Sequence, residues 1–326
     1  MNRMRACLLI LIASALALTT FDERASAESH VVGKIDGRPL GIELVVPKGP
    51  GPHPVIAWIH GGAWWAGNHL QMPGFTRAAL EAGFAVASLD YRLTSEAGRW
   101  GRASVSWPAQ IHDCKAGIRW LRANARTHRL DADRIVAWGH SAGGHLTAMV
   151  GLTADDPELE GRIGPHPGVS SRVAVAVNFA GPSDLLNMNP DVTTPPGSRI
   201  DHDGVGSPES RLIGSAIHNR SIDQVRAHLE DPTPPWATLA ERVRSASPVE
   251  HVDRDDRTIL YIAHGKQDPI VPFNQAVRLE AACREHGVPH VAKWYENAGH
   301  GLPREAHVAV LTWLPEALGV TKDAKD

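Results

Sequence analysis

A glycine-flanked serine between a strand pattern and a helix pattern constrains this chain more than any other feature. The apolar run at residues 134–138 is typical of a buried strand, and residues 145–150 are typical of a helix. Between them lies Gly139-His140-Ser141-Ala142-Gly143, a G-x-S-x-G pattern. In this context the pattern indicates a strained turn that exposes the serine oxygen at a helix N-terminus. An ordinary glycine-rich helix N-cap is the alternative. Other residues of the chain are needed to distinguish a catalytic serine from this structural role.

Strand and helix patterns alternate along the chain, which indicates the fold class. Continuous apolar strands are predicted at residues 42–46, 55–59, 84–89, 173–179, 258–263 and 291–295. Helical patterns cover residues 75–82, 108–126, 273–286 and 304–318. This alternation predicts an α/β fold, with a mostly parallel central sheet and helices on both faces. In such sheets, functional sites lie at the carboxyl ends of the strands.

Residues 185–247 interrupt the alternation. They contain no clear strand, many prolines, and helical patches only near 209–217 and 236–245. A long irregular insertion that follows a strand at the site edge is typical of a lid or binding loop. We therefore expect one catalytic domain over residues 28–326 with a cap or lid at about 185–247. A surface excursion that only packs on the sheet is the alternative.

The N-terminus has the pattern of a secretory signal peptide over residues 1–27. Two arginines precede an apolar run at residues 7–18, which is too short to span a bilayer comfortably, and Ala25-Ser26-Ala27 is a cleavage-site pattern. A mature start near Glu28 is expected, with no stable membrane insertion after cleavage. The predicted location is the periplasm or outside the cell, and an uncleaved anchor is the alternative.

Charge and cysteine usage limit the classes of partner. The formal net charge of −3 implies no polyanion or membrane-surface partner, so no nucleic acid is expected. The 18 histidines are scattered, without zinc-binding spacing to the cysteines. Cys114 and Cys283 fall in predicted helices. We expect them to be buried thiols, although export would permit a disulfide.

A serine nucleophile needs a base and an orienting acid, and candidates follow the later strands. Asp268 comes after the strand at 258–263, and His300, flanked by glycines, comes after the last strand. The order Ser141, Asp268, His300 is the nucleophile–acid–histidine order of α/β-hydrolases. Asp184 also ends a strand and is the alternative acid.

The strand at 55–59 is followed by His60-Gly61-Gly62-Ala63-Trp64. Glycines there allow backbone N–H groups to face a ligand. We expect the amides of Gly62 and Ala63, with that of Ala142, to form an oxyanion hole. His60 is expected to brace this loop.

Together these residues resemble the α/β-hydrolase serine esterases, in particular the bacterial feruloyl-esterase-like and carboxylesterase group with an H-G-G-x-W oxyanion loop. The resemblance covers about residues 40–318 and includes further matching segments at 90–93, 131–135, 178–185 and 207–214. It departs at Ala63, where the lipase-type motif has glycine, and at residues 227–243, which look inserted.

The resemblance implies a secreted carboxylic ester hydrolase that works through an acyl-enzyme on Ser141, with no metal or cofactor. An arylformamidase-like amide hydrolase on the same triad is the first alternative. A non-catalytic binding protein on this fold is the second.

The sequence motifs give less information about the substrate than about the reaction. A small-molecule or carbohydrate-linked ester is expected, without a prediction of the acyl length. Trp64 and Trp65 lie in a predicted loop near a strand end and are candidates to stack on a sugar or an aromatic acyl group, although packing within the loop is at least as well supported.

Overall fold

The computed structural model describes residues 27–154, 156–192, 199–253 and 257–320, and over these residues eight strands form one sheet. Apart from Ala27, the predicted signal peptide at 1–27 lies outside the described residues. The strands are β1 (Glu28–Ile35), β2 (Arg38–Val45), β3 (His53–Ile59), β4 (Ala85–Leu89), β5 (Leu130–His140), β6 (Val175–Phe179), β7 (Ile259–Gly265) and β8 (His290–Tyr295). The helices are α1 (Thr76–Glu81), α2 (Ala109–Ala123), α3 (Ala142–Leu152), α4 (Pro157–Glu160), α5 (Pro208–Leu212), α6 (Ile222–Ala227), α7 (Trp236–Ser245), α8 (Asn274–His286) and α9 (Arg304–Ala317).

The sheet is mostly parallel, as the sequence predicts. Its strand order is β1-β2-β4-β3-β5-β6-β7-β8. The pairs β1–β2 and β2–β4 are antiparallel, and every later pair is parallel. The carboxyl ends of β3, β5, β7 and β8 therefore meet at one edge of the sheet.

Helices cover both faces of the sheet, as the contacts of β5 show. Alternate residues of this strand point to opposite sides of the sheet. Ile135 and Ala137 lie in the hydrophobic cluster that includes side chains of α2 and α3. Val136 and Trp138 lie in the cluster that includes side chains of α1 and α9. Burial on both sides explains why the strand reads as a continuous apolar run.

The segment at 185–247 connects β6 to β7 through α5, α6 and α7. Leu239 and Val243 of α7 are fully buried in the cluster that also holds α2. This helix is therefore part of the packed domain. Movement of the segment as a lid stays a prediction.

The cysteines among the described residues are buried, as predicted. Cys114 lies in α2 and Cys283 in α8, both are 0% exposed, and neither forms a disulfide. In the described ranges, no helix combines the length and hydropathy that a membrane crossing requires.

Candidate active site

Ser141 occupies a strained turn between β5 and α3. Its φ of 59° and ψ of −126° lie in a region that residues with a Cβ rarely adopt. Its N–H donates to the carbonyl of Phe179 at 2.8 Å, and its carbonyl accepts from the N–H of His145 at 3.0 Å. These bonds hold the serine at the N-terminus of α3, where free N–H groups favour negative charge.

The turn is so tight that the glycines around it cannot carry side chains. A Cβ on Gly139 would lie 2.2 Å from the carbonyl oxygen of Gly143. A Cβ on Gly143 would lie 2.0 Å from the carbonyl oxygen of Ile59, at the end of β3. The G-x-S-x-G pattern therefore reflects close approach of three backbone segments.

Asp268 and His300 are brought together from the loops after β7 and β8. The distance from His300 Nδ1 to Asp268 Oδ2 is 2.8 Å. The other carboxylate oxygen, Oδ1, accepts from the N–H groups of Ile270 and Val271 at 2.8 and 3.0 Å. The carboxylate is thus fixed on both oxygens and orients the imidazole.

A second histidine, His264, also contacts this carboxylate. It is fully buried at the end of β7, and its Nε2 lies 3.1 Å from Asp268 Oδ2. Burial raises the pKa of Asp268, but the hydrogen bonds from His264 and His300 outweigh it and hold that pKa well below its usual range. His264 lies four positions before Asp268 in the sequence, but only the structure shows that the two side chains are in contact.

His140, the variable residue before Ser141, supports the loop that carries His300. Its Nε2–H donates to the carbonyl of His300 at 2.6 Å, and the two rings lie 4.7 Å apart. Burial, with a smaller effect of His300, lowers the pKa of His140 to about 4. The ring is therefore neutral at pH 7 and positions the loop without adding charge.

The loop after β3 lies directly beside the nucleophile, because a Cβ on Gly61 would stand 3.2 Å from Ser141 Cβ. The Gly62 carbonyl accepts from the N–H groups of Trp65 and Ala66 at 2.9 Å each. Across the described residues, the structure shows no hydrogen bond from the N–H of Gly62 or Ala63.

The third predicted oxyanion donor, the N–H of Ala142, belongs to the first turn of α3, where an intrahelical acceptor is missing. The oxyanion hole formed by the N–H groups of Gly62, Ala63 and Ala142 stays a prediction, and none of the three has an acceptor within the described residues.

His60 braces this loop, in agreement with the sequence prediction. Its ring stacks on Tyr91 with 4.3 Å between centroids, and its Nδ1 lies 2.7 Å from the Gly61 carbonyl. The Tyr91 hydroxyl donates to the His60 carbonyl at 3.0 Å. Burial lowers the pKa of His60, which favours the neutral ring.

The prediction that Trp64 contacts the substrate is corrected by its position. The ring is 1% exposed, and its Nε1–H donates to His145 Nδ1 at 3.2 Å. Trp64 is therefore a support of the oxyanion loop. Trp65 is 45% exposed, with the Arg211 guanidinium carbon 4.0 Å from its ring centroid, and it stays a candidate for substrate contact.

His145 joins the oxyanion loop to the segment at 185–247. While its Nδ1 accepts from Trp64, its Nε2–H donates to the carbonyl of Ala246 at 2.7 Å. Burial lowers the pKa of His145 to about 4, so the ring is neutral at pH 7 and can accept and donate at once.

The alternative acid, Asp184, has other partners. Its Oδ2 accepts from Asn187 at 2.6 Å and lies 3.7 Å from Arg278. Because Nδ1 of His300 is directed to Asp268, the geometry favours Asp268 as the acid.

The sequence matches a known protein family and several esterases over most of its length. The family model described as BD-FAE matches residues 42–283. Esterase LipC of Mycobacterium tuberculosis is 31% identical over 255 residues, which cover 77% of this chain and 53% of LipC. Esterase LipQ of the same organism is 28% identical over 245 residues, which cover 73% of this chain and 48% of LipQ. The chain thus spans about half the length of these relatives.

Solved structures show the same fold over nearly the whole chain. A truncated carbohydrate esterase from gut microbiota has a TM-score of 0.72 at 26% identity, covering 90% of this chain and 98% of that one. An esterase from Thermogutta terrifontis has a TM-score of 0.66 at 23% identity, covering 92% of this chain and 95% of that one. At this identity the similarity supports the fold and not the function. The relatives and the fold support the prediction of an α/β-hydrolase that cleaves carboxylic esters.

Proposed function

Because the chain belongs to the BD-FAE family, we propose that it hydrolyses carboxylic esters through an acyl-enzyme on Ser141. The contact of 2.8 Å between Asp268 and His300, on loops that flank the serine turn, carries this proposal. It supplies the two groups that a serine needs to act as a nucleophile.

In the acylation step, His300 Nε2 accepts the proton of Ser141 Oγ while that oxygen attacks the ester carbonyl. The carbonyl oxygen becomes an oxyanion and receives hydrogen bonds from the backbone N–H groups of Gly62, Ala63 and Ala142. The intermediate collapses when the alcohol leaves with the proton from His300. The acyl group then remains on Ser141.

In the deacylation step, His300 takes a proton from a water molecule that attacks the acyl-enzyme. The same N–H groups hold the second oxyanion. Its collapse releases the carboxylic acid and returns the proton to Ser141. Through both steps the ionised Asp268 keeps Nδ1–H of His300 directed to itself and stabilises the imidazolium that forms.

We propose a small-molecule or carbohydrate-linked ester as the substrate. The similarity to a carbohydrate esterase at 26% identity supports the second possibility. The exposed ring of Trp65 next to the oxyanion loop is a surface on which a sugar or an aromatic acyl group can stack. Amide hydrolysis by the same triad is less supported, because LipC and LipQ are both named esterases.

Secretion to the periplasm or beyond is also a proposal, and it rests on the N-terminal pattern of residues 1–27. Sequencing the N-terminus of the exported protein tests it, with Glu28 expected as the first residue.

Hydrolysis of p-nitrophenyl acetate by the wild type and by Ser141→Ala tests the proposed activity. We expect kcat to fall by about four orders of magnitude or more, since the nucleophile is lost, with an unchanged Tm. Ser170→Ala, at an exposed serine, is the control and should keep full activity. Retained turnover in Ser141→Ala would reject the nucleophile assignment, and turnover of N-formylkynurenine above that of esters would favour the amide hydrolase.

A further inference from the structure

We propose that Glu28, His30 and His128 form a binding site for a divalent transition metal, with zinc as the expected ion. One ligand atom from each of the three residues lies within 4.8 Å of the other two. Two imidazoles and a carboxylate are a ligand set that zinc takes in proteins.

The distances within the cluster suit a tetrahedral ion after small side-chain movements. His30 Nε2 lies 3.6 Å from Glu28 Oε2, and the rings of His30 and His128 lie 4.7 Å apart. Zinc bonds of about 2.0–2.2 Å place neighbouring tetrahedral ligand atoms roughly 3.4 Å apart. The carboxylate–imidazole edge is thus nearly in place already.

A ring nitrogen of His30 lacks a hydrogen-bond partner within the described residues. This atom, Nε2, is buried. Such an atom costs free energy unless a ligand satisfies it. Trp120 of α2, itself 8% exposed, packs against both His30 and His128 at 4.8 and 5.3 Å between centroids and walls the site on one side.

The cluster joins parts of the chain that are far apart in sequence. Glu28 and His30 lie on β1, the edge strand, which pairs with β2 alone. His128 lies between α2 and β5. A bound metal would therefore link the edge strand to the connection after α2. A search of the sequence for zinc-ligand spacing could not find this site, because its ligands are far apart in the chain.

The site is remote from the proposed catalytic centre. His128 precedes β5 and Ser141 follows it, and this strand has 11 residues. At about 3.3 Å per residue, the strand separates the two points by roughly 30 Å. We therefore assign the metal a role in stability, and this inference does not depend on the proposed hydrolysis.

Calorimetric titration of the untagged, EDTA-treated protein with zinc chloride tests the site. We expect one saturable site, and His128→Ala and Glu28→Gln should each weaken zinc binding about tenfold or more. Zinc should raise Tm of the wild type by a few degrees but not that of His128→Ala, because binding stabilises the folded state alone. Ester hydrolysis should be the same with and without zinc.

His218→Ala is the matched control, since this histidine is exposed and outside the cluster. It should bind zinc like the wild type. Equal Tm of wild type and His128→Ala in EDTA would show that the variant folds. The proposal is overturned by the absence of saturable zinc binding, or by an equal loss of binding in His218→Ala and His128→Ala.

Discussion

Asp268 accepts hydrogen bonds on both carboxylate oxygens, and this explains how one buried acid stays ionised beside two histidines. Backbone N–H groups hold Oδ1, while His264 and His300 contact Oδ2. Asp268 and His300 could be predicted because each lies in a short loop after an apolar strand. The contact with His264 could not, since this histidine follows the predicted strand at 258–263 without a local signal for its partner.

Asp268→Asn should lower kcat by about 10⁴-fold while the protein stays folded, because an amide at this place favours the wrong tautomer of His300. Asp184→Asn is the matched control, and its kcat should stay within a few-fold of the wild type. Steady-state hydrolysis of p-nitrophenyl acetate measures both. If Asp184→Asn proved the inactive variant, the acid would have to be reassigned.

The two neighbouring tryptophans show what a local pattern cannot decide. Trp64 and Trp65 have the same predicted environment, a loop near the end of a strand. Trp64 is buried because its indole donates to His145, which lies 81 positions later in the chain. Only the assembled fold separates the structural ring from the exposed one.

At the level of elements, the sequence patterns predicted every strand from β3 onward but missed β1 and shortened β2. Asp36 and Gly37, with φ of 50° and 85°, make the two-residue turn that joins these strands, and an Asp-Gly pair is a recognised hairpin signal. Arg38 opens β2 although it is charged, because it pairs with Asp90 at 2.8 Å and Glu96 at 2.7 Å. Hydropathy alone does not predict a buried ion pair.

The helix α3 is tied through His145 to both the oxyanion loop and Ala246, and this link should make stability fall in acid. The unfolded ring binds a proton near its ordinary pKa of 6.5, whereas the folded ring does so only near about 4. The unfolded state therefore binds more protons between these values, so the free energy of unfolding decreases as pH falls from 6.5 towards 4.

Urea unfolding at pH 7.5 and 4.5 measures this loss. His145→Gln does not titrate, so between the two pH values it should lose about 2–3 kcal/mol less than the wild type. An identical loss in both proteins would show that His145 is not the source.

The helix α7 is expected to be a structural part of the domain. Leu239→Ala should lower the free energy of unfolding by about 2–5 kcal/mol, because its side chain is fully buried in the main core. Ile217→Ala is the control in the same segment, since that side chain is 59% exposed, and should change stability little. Denaturant titration compares the two, and equal small effects would indicate a loosely attached segment.

For the whole molecule, the parallel sheet explains why the predicted site could be assembled from the sequence. Ser141 follows β5, Asp268 follows β7, His300 follows β8 and the oxyanion loop follows β3, so one sheet edge collects them all. The substrate could not be predicted in the same way. We expect specificity to depend on loops and on the segment at 185–247, which has no regular hydropathy pattern from which its contacts could be predicted.

Covalent labelling with a fluorophosphonate tests the central proposal most directly, because this reagent traps a serine that is activated by a base and an oxyanion hole. Mass spectrometry of the digested protein should show one adduct per chain, on the peptide that carries Ser141, together with loss of ester hydrolysis. His300→Ala should label far more slowly. An adduct on another serine, or full ester hydrolysis without a label on Ser141, would contradict the account.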